Sequence, residues 1–173
     1  KINLNADEVK SILILPEVED LSMTYFVSLK LIDEKNNIIS NNFYWLSKKK
    51  DELDFPKTTW WITPIKEFAD LTQLHNLKQT KINFKKNFYE KKDRVDFLIE
   101  LENPTDNIAF CLELAILKQK GGESILPIFL EDNYFSLLPK EKRIIKGYYF
   151  KKDSPNLKPV VKLSGWNVKE LEK

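Results

Sequence analysis

The residues able to do chemistry in this chain are sparse and poorly grouped. There is one histidine, His75, in the polar setting "QLHNL", and one cysteine, Cys111, inside the apolar run "IAFCLELAIL". A Ser-His-Asp or Cys-His site would have to use His75, yet no sharp strand-to-helix turn carrying a nucleophile accompanies it. One Cys and one His fall short of a structural zinc site, and a lone cysteine forms no internal disulfide, so Cys111 reads as a small buried hydrophobe. Among 173 residues there are 26 carboxylates. Counting alone does not exclude a glycosidase-like pair, but most lie in Lys/Glu-rich loops or on charged strand faces, where a carboxylate stays ionised and is unsuited to be a general acid. The four glycines, at 121, 122, 147 and 165, never take the spacing of a phosphate-binding loop. No cofactor, metal site or catalytic residue is expected.

Aromatic residues are the richer feature: "NFYWLS" at 42–47, "TTWWITP" at 58–64, "DNYFSLL" at 132–138 and "GYYF" at 147–150. Exposed rings can stack on pyranose sugars, but adjacent rings on a strand more commonly divide between core and surface. Trp45 is read as core, and Trp60 and Trp61 as packing between the two halves of the chain. Contact with a further domain and sugar stacking are the alternatives for this pair. In "EDNYFSLLPKE", 131–141, Asp132 and Asn133 suit backbone hydrogen bonds at a corner, with Tyr134 or Phe135 plugging the core end. Leu137 or Leu138 enters the core, and Pro139 occupies the first central position of a turn. Trp60, Trp61, Asp132, Asn133 and Tyr134 are therefore the candidate carbohydrate or interdomain contacts.

The elements that must position these residues are strands. "RVDFLIELEN" alternates Val95, Phe97, Ile99 and Leu101 with mostly charged neighbours, and "TYFVSLKLID" and "AFCLELAIL" repeat the pattern. "DEKNN" at 33–37 and "KQKGGES" at 118–124 read as hairpin loops, and "ENPTDN" at 102–107 as a break. Seven strands are expected after residue 80, near 80–88, 94–102, 108–117, 125–130, 132–137, 141–150 and 159–165. That is the content of an immunoglobulin-like sandwich. Only three are expected before residue 65, near 9–15, 24–32 and 38–46, with at most a turn or two of helix near 64–70. The fold class is all-β. Residues 1–70 form the C-terminal part of a preceding β-sandwich plus a linker, and 71–173 an immunoglobulin-like β-sandwich. The incomplete first part must lean on the second, on another copy through its open edge, or on further sequence.

With 28 basic and 26 acidic residues the formal charge is +2, which argues against nucleic acid as a partner. No stretch approaches the roughly 20 apolar residues of a membrane helix, so no membrane partner is expected. The opening "KINLNADEVK" carries no signal-peptide pattern, and a start at Lys reads as an excised or processed piece.

"NFYWLS", "WWITPIKEFADLTQL", "LPIFLEDNYFSLLPKE" and "LSGWNV", in this order, resemble the C-terminal end of family 2 glycoside hydrolases, in the exo-β-D-glucosaminidase and β-mannosidase branch. The likeness runs from about Tyr25 to Val168. It implies the last part of a fourth domain plus a complete fifth, with a catalytic (β/α)₈ barrel of roughly 200–250 residues elsewhere on the same polypeptide. The implied role is to buttress that barrel. A carbohydrate-binding module and an adhesion or scaffold sandwich are the rival readings. The resemblance also implies a retaining parent enzyme in an extracytoplasmic setting. One departure stands out: the family's Leu-Pro-Gly-Glu turn here carries Lys140 in place of glycine.

Overall fold

The computed structural model describes residues 2–153 and 158–173. Lys1, on which the reading of an excised start rests, lies outside them. Two compact units divide the chain, Lys1–Leu74 and His75–Lys173.

The second unit is a two-layer sandwich. Its strands are β5 (Asn83–Glu90), β6 (Arg94–Glu102), β7 (Ala109–Leu117), β8 (Phe129–Leu130), β9 (Phe135–Leu137), β10 (Lys142–Phe150), β11 (Val160–Gly165) and β12 (Val168–Glu172). One sheet has the order β5-β6-β10-β8 and the other β12-β11-β7-β9. Period-two alternation drives the packing. Val95, Phe97, Ile99 and Leu101 of β6 are buried between the sheets and meet Leu112, Leu114 and Ile116 of β7, Ile145 and Tyr149 of β10, and Val161 and Leu163 of β11. Each such side chain contributes about 1.5–3 kcal/mol on burial. Gly122 and Gly121 close the β7 hairpin loop, the latter at φ +66.

The first unit comprises two two-stranded sheets, β1 (Thr24–Ile32) with β2 (Ile38–Ser47) and β3 (Glu52–Leu53) with β4 (Ile65–Glu67). The β1–β2 turn is closed by Asp33, whose carboxylate accepts from the backbone N–H groups of Lys35 and Asn37, with Asn36 at φ +63. Leu29, Leu31, Ile32, Ile38 and Ile39 on this hairpin remain exposed.

Several expected elements are corrected. Residues 9–15 form no strand and are exposed throughout, because their apolar run pairs with no other strand. The helical turn expected near 64–70 is instead strand β4, held by pairing with β3, and a 3-10 turn follows at Thr72–Asn76. The strand expected over 125–130 shrinks to Phe129–Leu130, since Pro127 offers no N–H to a ladder. Strands β3, β4 and β12 escaped the sequence reading, being short and, in β12, charged.

Candidate functional site

The stretch 131–141 is a corner built mostly from its own polar side chains. Asn133 reaches across to β7, where its Oδ1 accepts from Leu114 N–H at 2.8 Å and its Nδ2 donates to Leu114 C=O at 3.0 Å. One side-chain amide thus substitutes for a strand partner beside the β7–β9 irregularity, where Cys111 sits at φ +50. Asp132 Oδ1 accepts from Asn133 N–H, and Asp132 Oδ2 pairs with Arg143. The Arg143 guanidinium in turn lies 4.6 Å from the Phe135 ring centroid. Phe135 and Leu137 enter the core, while Tyr134, at φ +56, is exposed. Its hydroxyl donates to Glu113 Oε1 at 3.0 Å, and this hydrogen bond to a carboxylate holds the phenol above its ordinary pKa. Pro139 and Lys140 are the central residues of the following turn, closed by Glu141 N–H to Leu138 C=O at 3.1 Å. Lys140 takes φ +62, the conformation a glycine would adopt freely. Its Nζ donates to Pro104 C=O at 2.7 Å and lies 3.1 Å from Asp106.

The loop carrying Trp60 and Trp61 belongs to the other unit. Strands β3 and β4 bring its ends together, with Asp54 N–H donating to Pro64 C=O at 2.8 Å. At the tip, Thr59 N–H donates to Ile62 C=O at 2.9 Å, and the Thr58 and Thr63 hydroxyls bond at 3.1 Å. Trp60 and Trp61 are therefore the two central residues of a braced turn. Their rings lie 4.4 Å apart and are 87% and 72% exposed. Neither ring is buried within its own unit. Trp45, expected in the core, is also 47% exposed, on the two-stranded sheet β1–β2.

The remaining chemically able groups are dispersed. His75 is exposed and its ring lies 5.3 Å from that of Trp166. Burial pushes the Cys111 thiol above its ordinary pKa, with Glu113 adding to the effect, the reverse of what a nucleophile needs. Among the described residues, no cluster of three or more His, Cys, Asp or Glu side chains is placed to hold a metal ion. Sequence reasoning missed two buried amides that tie the sandwich together. Asn167 accepts from Phe110 N–H and donates to the Lys78 and Ile108 carbonyls, each at 2.8 Å. Asn103 donates to Asn107, Leu137 and Leu138 carbonyls. Their position beside turn residues, in "GWN" and "ENP", was the available signal.

The second unit is an immunoglobulin-like β-sandwich with a corner braced by its own polar side chains, and the first unit carries a tryptophan-tipped turn. Residues 60–168 match the family of exo-β-D-glucosaminidase Ig-fold domains, and the chain belongs to that family. It is 34% identical over 146 residues to an exo-β-D-glucosaminidase of Arthroderma benhamiae, covering 84% of this chain and 16% of the relative. It is 33% identical over 156 residues to the enzyme of that name from Amycolatopsis orientalis, covering 88% of this chain and 15% of the relative. The crystal structure of Amycolatopsis orientalis exo-chitosanase CsxA superposes with a TM-score of 0.86 at 31% identity, over 92% of this chain and 19% of that one. The chain thus spans about a sixth of the length of these curated relatives. It is of the accessory-domain type found in glycoside hydrolases.

Proposed function

We propose that the chain is a non-catalytic C-terminal module of a glycoside hydrolase and buttresses a catalytic (β/α)₈ barrel on the same polypeptide. The observation that carries this reading is the disparity in coverage: nearly all of the chain matches relatives named exo-β-D-glucosaminidase, yet it accounts for only 15–16% of them. The exposed tip at Trp60 and Trp61 and the uncovered apolar hairpin β1–β2 supply surfaces for neighbouring parts of such a polypeptide, and the hairpin's open edges also offer pairing to a second copy. The parent activity is then exo-acting, retaining hydrolysis of β-glucosaminides or β-mannosides, in an extracytoplasmic setting. In this role Trp60, Trp61 and the corner Asp132–Tyr134 are interdomain contacts.

The purified chain is expected to release no nitrophenol from nitrophenyl β-glucosaminide or β-mannoside above a buffer blank. Turnover abolished by mutating one of its own carboxylates would defeat the reading. The high exposure of the tryptophan pair favours a second reading, a carbohydrate-binding module. Titration with chitosan oligosaccharides while following tryptophan emission decides between them: a saturable shift lost in Trp61→Ala supports binding at the tip, and a flat response supports the buttress.

A further inference from the structure

The outer face of the sheet β5-β6-β10-β8 carries a feature that bracing a neighbour does not explain. Strand register puts Tyr89, Asp96, Tyr148 and Phe129 in one row, one residue from each strand. At about 4.8 Å per strand the row is about 14 Å long. Phe129 and Tyr148 stack with centroids 4.7 Å apart and planes 11° from parallel, and Phe150 meets both edge-on at 5.9 and 5.7 Å. Arg94 lies 4.7 Å from the Tyr148 ring centroid, and its Nε is 2.7 Å from Asp96 Oδ1. That oxygen is shut off from bulk solvent, and no donor, Arg94 included, meets it in hydrogen-bonding geometry. Its charge is compensated while its lone pair is unfilled.

Tyr89, Arg94, Asp96, Phe129 and Tyr148 border a cavity of about 580 Å³, within the range of small-ligand sites. Leu98, Leu130 and the stacked rings line it on the apolar side, and Glu131 and Lys146 add a carboxylate and an ammonium. Two acids and two bases do not suit a polyanion, and so many charges do not suit an apolar peptide. An apolar wall beside closely spaced acceptors and donors matches a pyranose ring, which presents C–H groups on one side and hydroxyls around its rim. We propose that this cavity is a binding site for a short pyranose oligosaccharide, with Asp96 accepting a sugar hydroxyl or ammonium through the part of its side chain that remains exposed while Arg94 holds Oδ1, and with Phe129 and Tyr148 supplying the apolar contact. The site is separate from the Trp60–Trp61 tip and from the supporting role, so either can fail without the other.

The test uses the 173-residue chain, isotopically labelled, titrated with fully deacetylated chitotetraose and, in a parallel arm, cellotetraose. Saturable amide shifts confined to Glu131, Lys146, Tyr148 and their strand neighbours are expected in at least one arm. Shifts in the chitotetraose arm alone assign the contact to the amino group, and shifts in both assign it to the shared pyranose chemistry. Asp96→Asn and Phe129→Ala are each expected to weaken binding about tenfold or more. No saturable shift in either arm up to about 10 mM sugar, shifts centred elsewhere, or affinity retained in both variants would overturn the proposal. The wild-type shift map decides the matter even if a variant fails to fold.

Discussion

At the scale of single residues, much of the sandwich's definition rests on amides and hydroxyls rather than on charge. Asn167 is 1% exposed and serves three backbone groups. Asn167→Ala strands those groups in the interior and is expected to cost about 2–4 kcal/mol in urea unfolding of the chain. Tyr149 gives a pH-dependent counterpart. Burial, with a smaller push from Glu90, raises its phenol above the ordinary value of 10.0. A raised folded pKa means that the folded state holds its proton longer, so this contribution to stability is complete below pH 10 and is lost as pH climbs through the folded value. Unfolding midpoints at pH 8 and at about pH 10.5 should therefore differ in wild type and differ less in Tyr149→Phe, which keeps the packed ring. An unchanged difference would show that the slope comes from other groups.

At the scale of elements, the edge strand β8 depends on a glycine across from it. A Cβ on Gly147 would lie 2.4 Å from the Phe129 carbonyl oxygen and 2.5 Å from Phe97 Cζ. The backbone oxygen has nowhere to go without breaking the β10–β8 pairing. Gly147→Ala should thus cost about 1–3 kcal/mol and loosen Phe129 from Tyr148, which near-UV circular dichroism and amide exchange at Leu130 would register. The corner at 131–141 obeys a different logic: Asn133 supplies through its side chain what the irregular β7–β9 ladder lacks. Asn133→Leu is expected to destabilise the sandwich by about 1–3 kcal/mol, because the Leu114 backbone groups lose both partners.

At the scale of the whole molecule the two units differ in how much of themselves they bury. The described core cluster, from Ile82 to Val168, lies entirely in the second unit, whereas the β1–β2 hairpin keeps a string of large apolar residues in solvent. Opening free energies follow buried contacts, so hydrogen exchange on the isolated chain should show strong protection in β6, β7, β10 and β11 and near-immediate exchange at the outer end of β1–β2. Slow exchange across that hairpin at micromolar concentration, vanishing on dilution, would instead reveal pairing between copies.

Alternation of apolar and charged residues was enough to place β5, β6, β7, β10 and β11 and to define an all-β sandwich, because period two is local and each strand carries its own buried face. The turns at 33–37 and 118–124 were legible for the same reason, their Asp, Asn and Gly residues satisfying their own backbone nearby. Other features were decided only by tertiary structure. The exposure of Trp45, Trp60 and Trp61, the pairing of Ile65–Glu67 with β3 where a helical turn was expected, and the alignment of Asp96 with Tyr148 and Phe129 all depend on what lies across from them. A residue's type states what it can bond to or bury, but which partner stands opposite is set by register and layer packing between segments far apart in the chain.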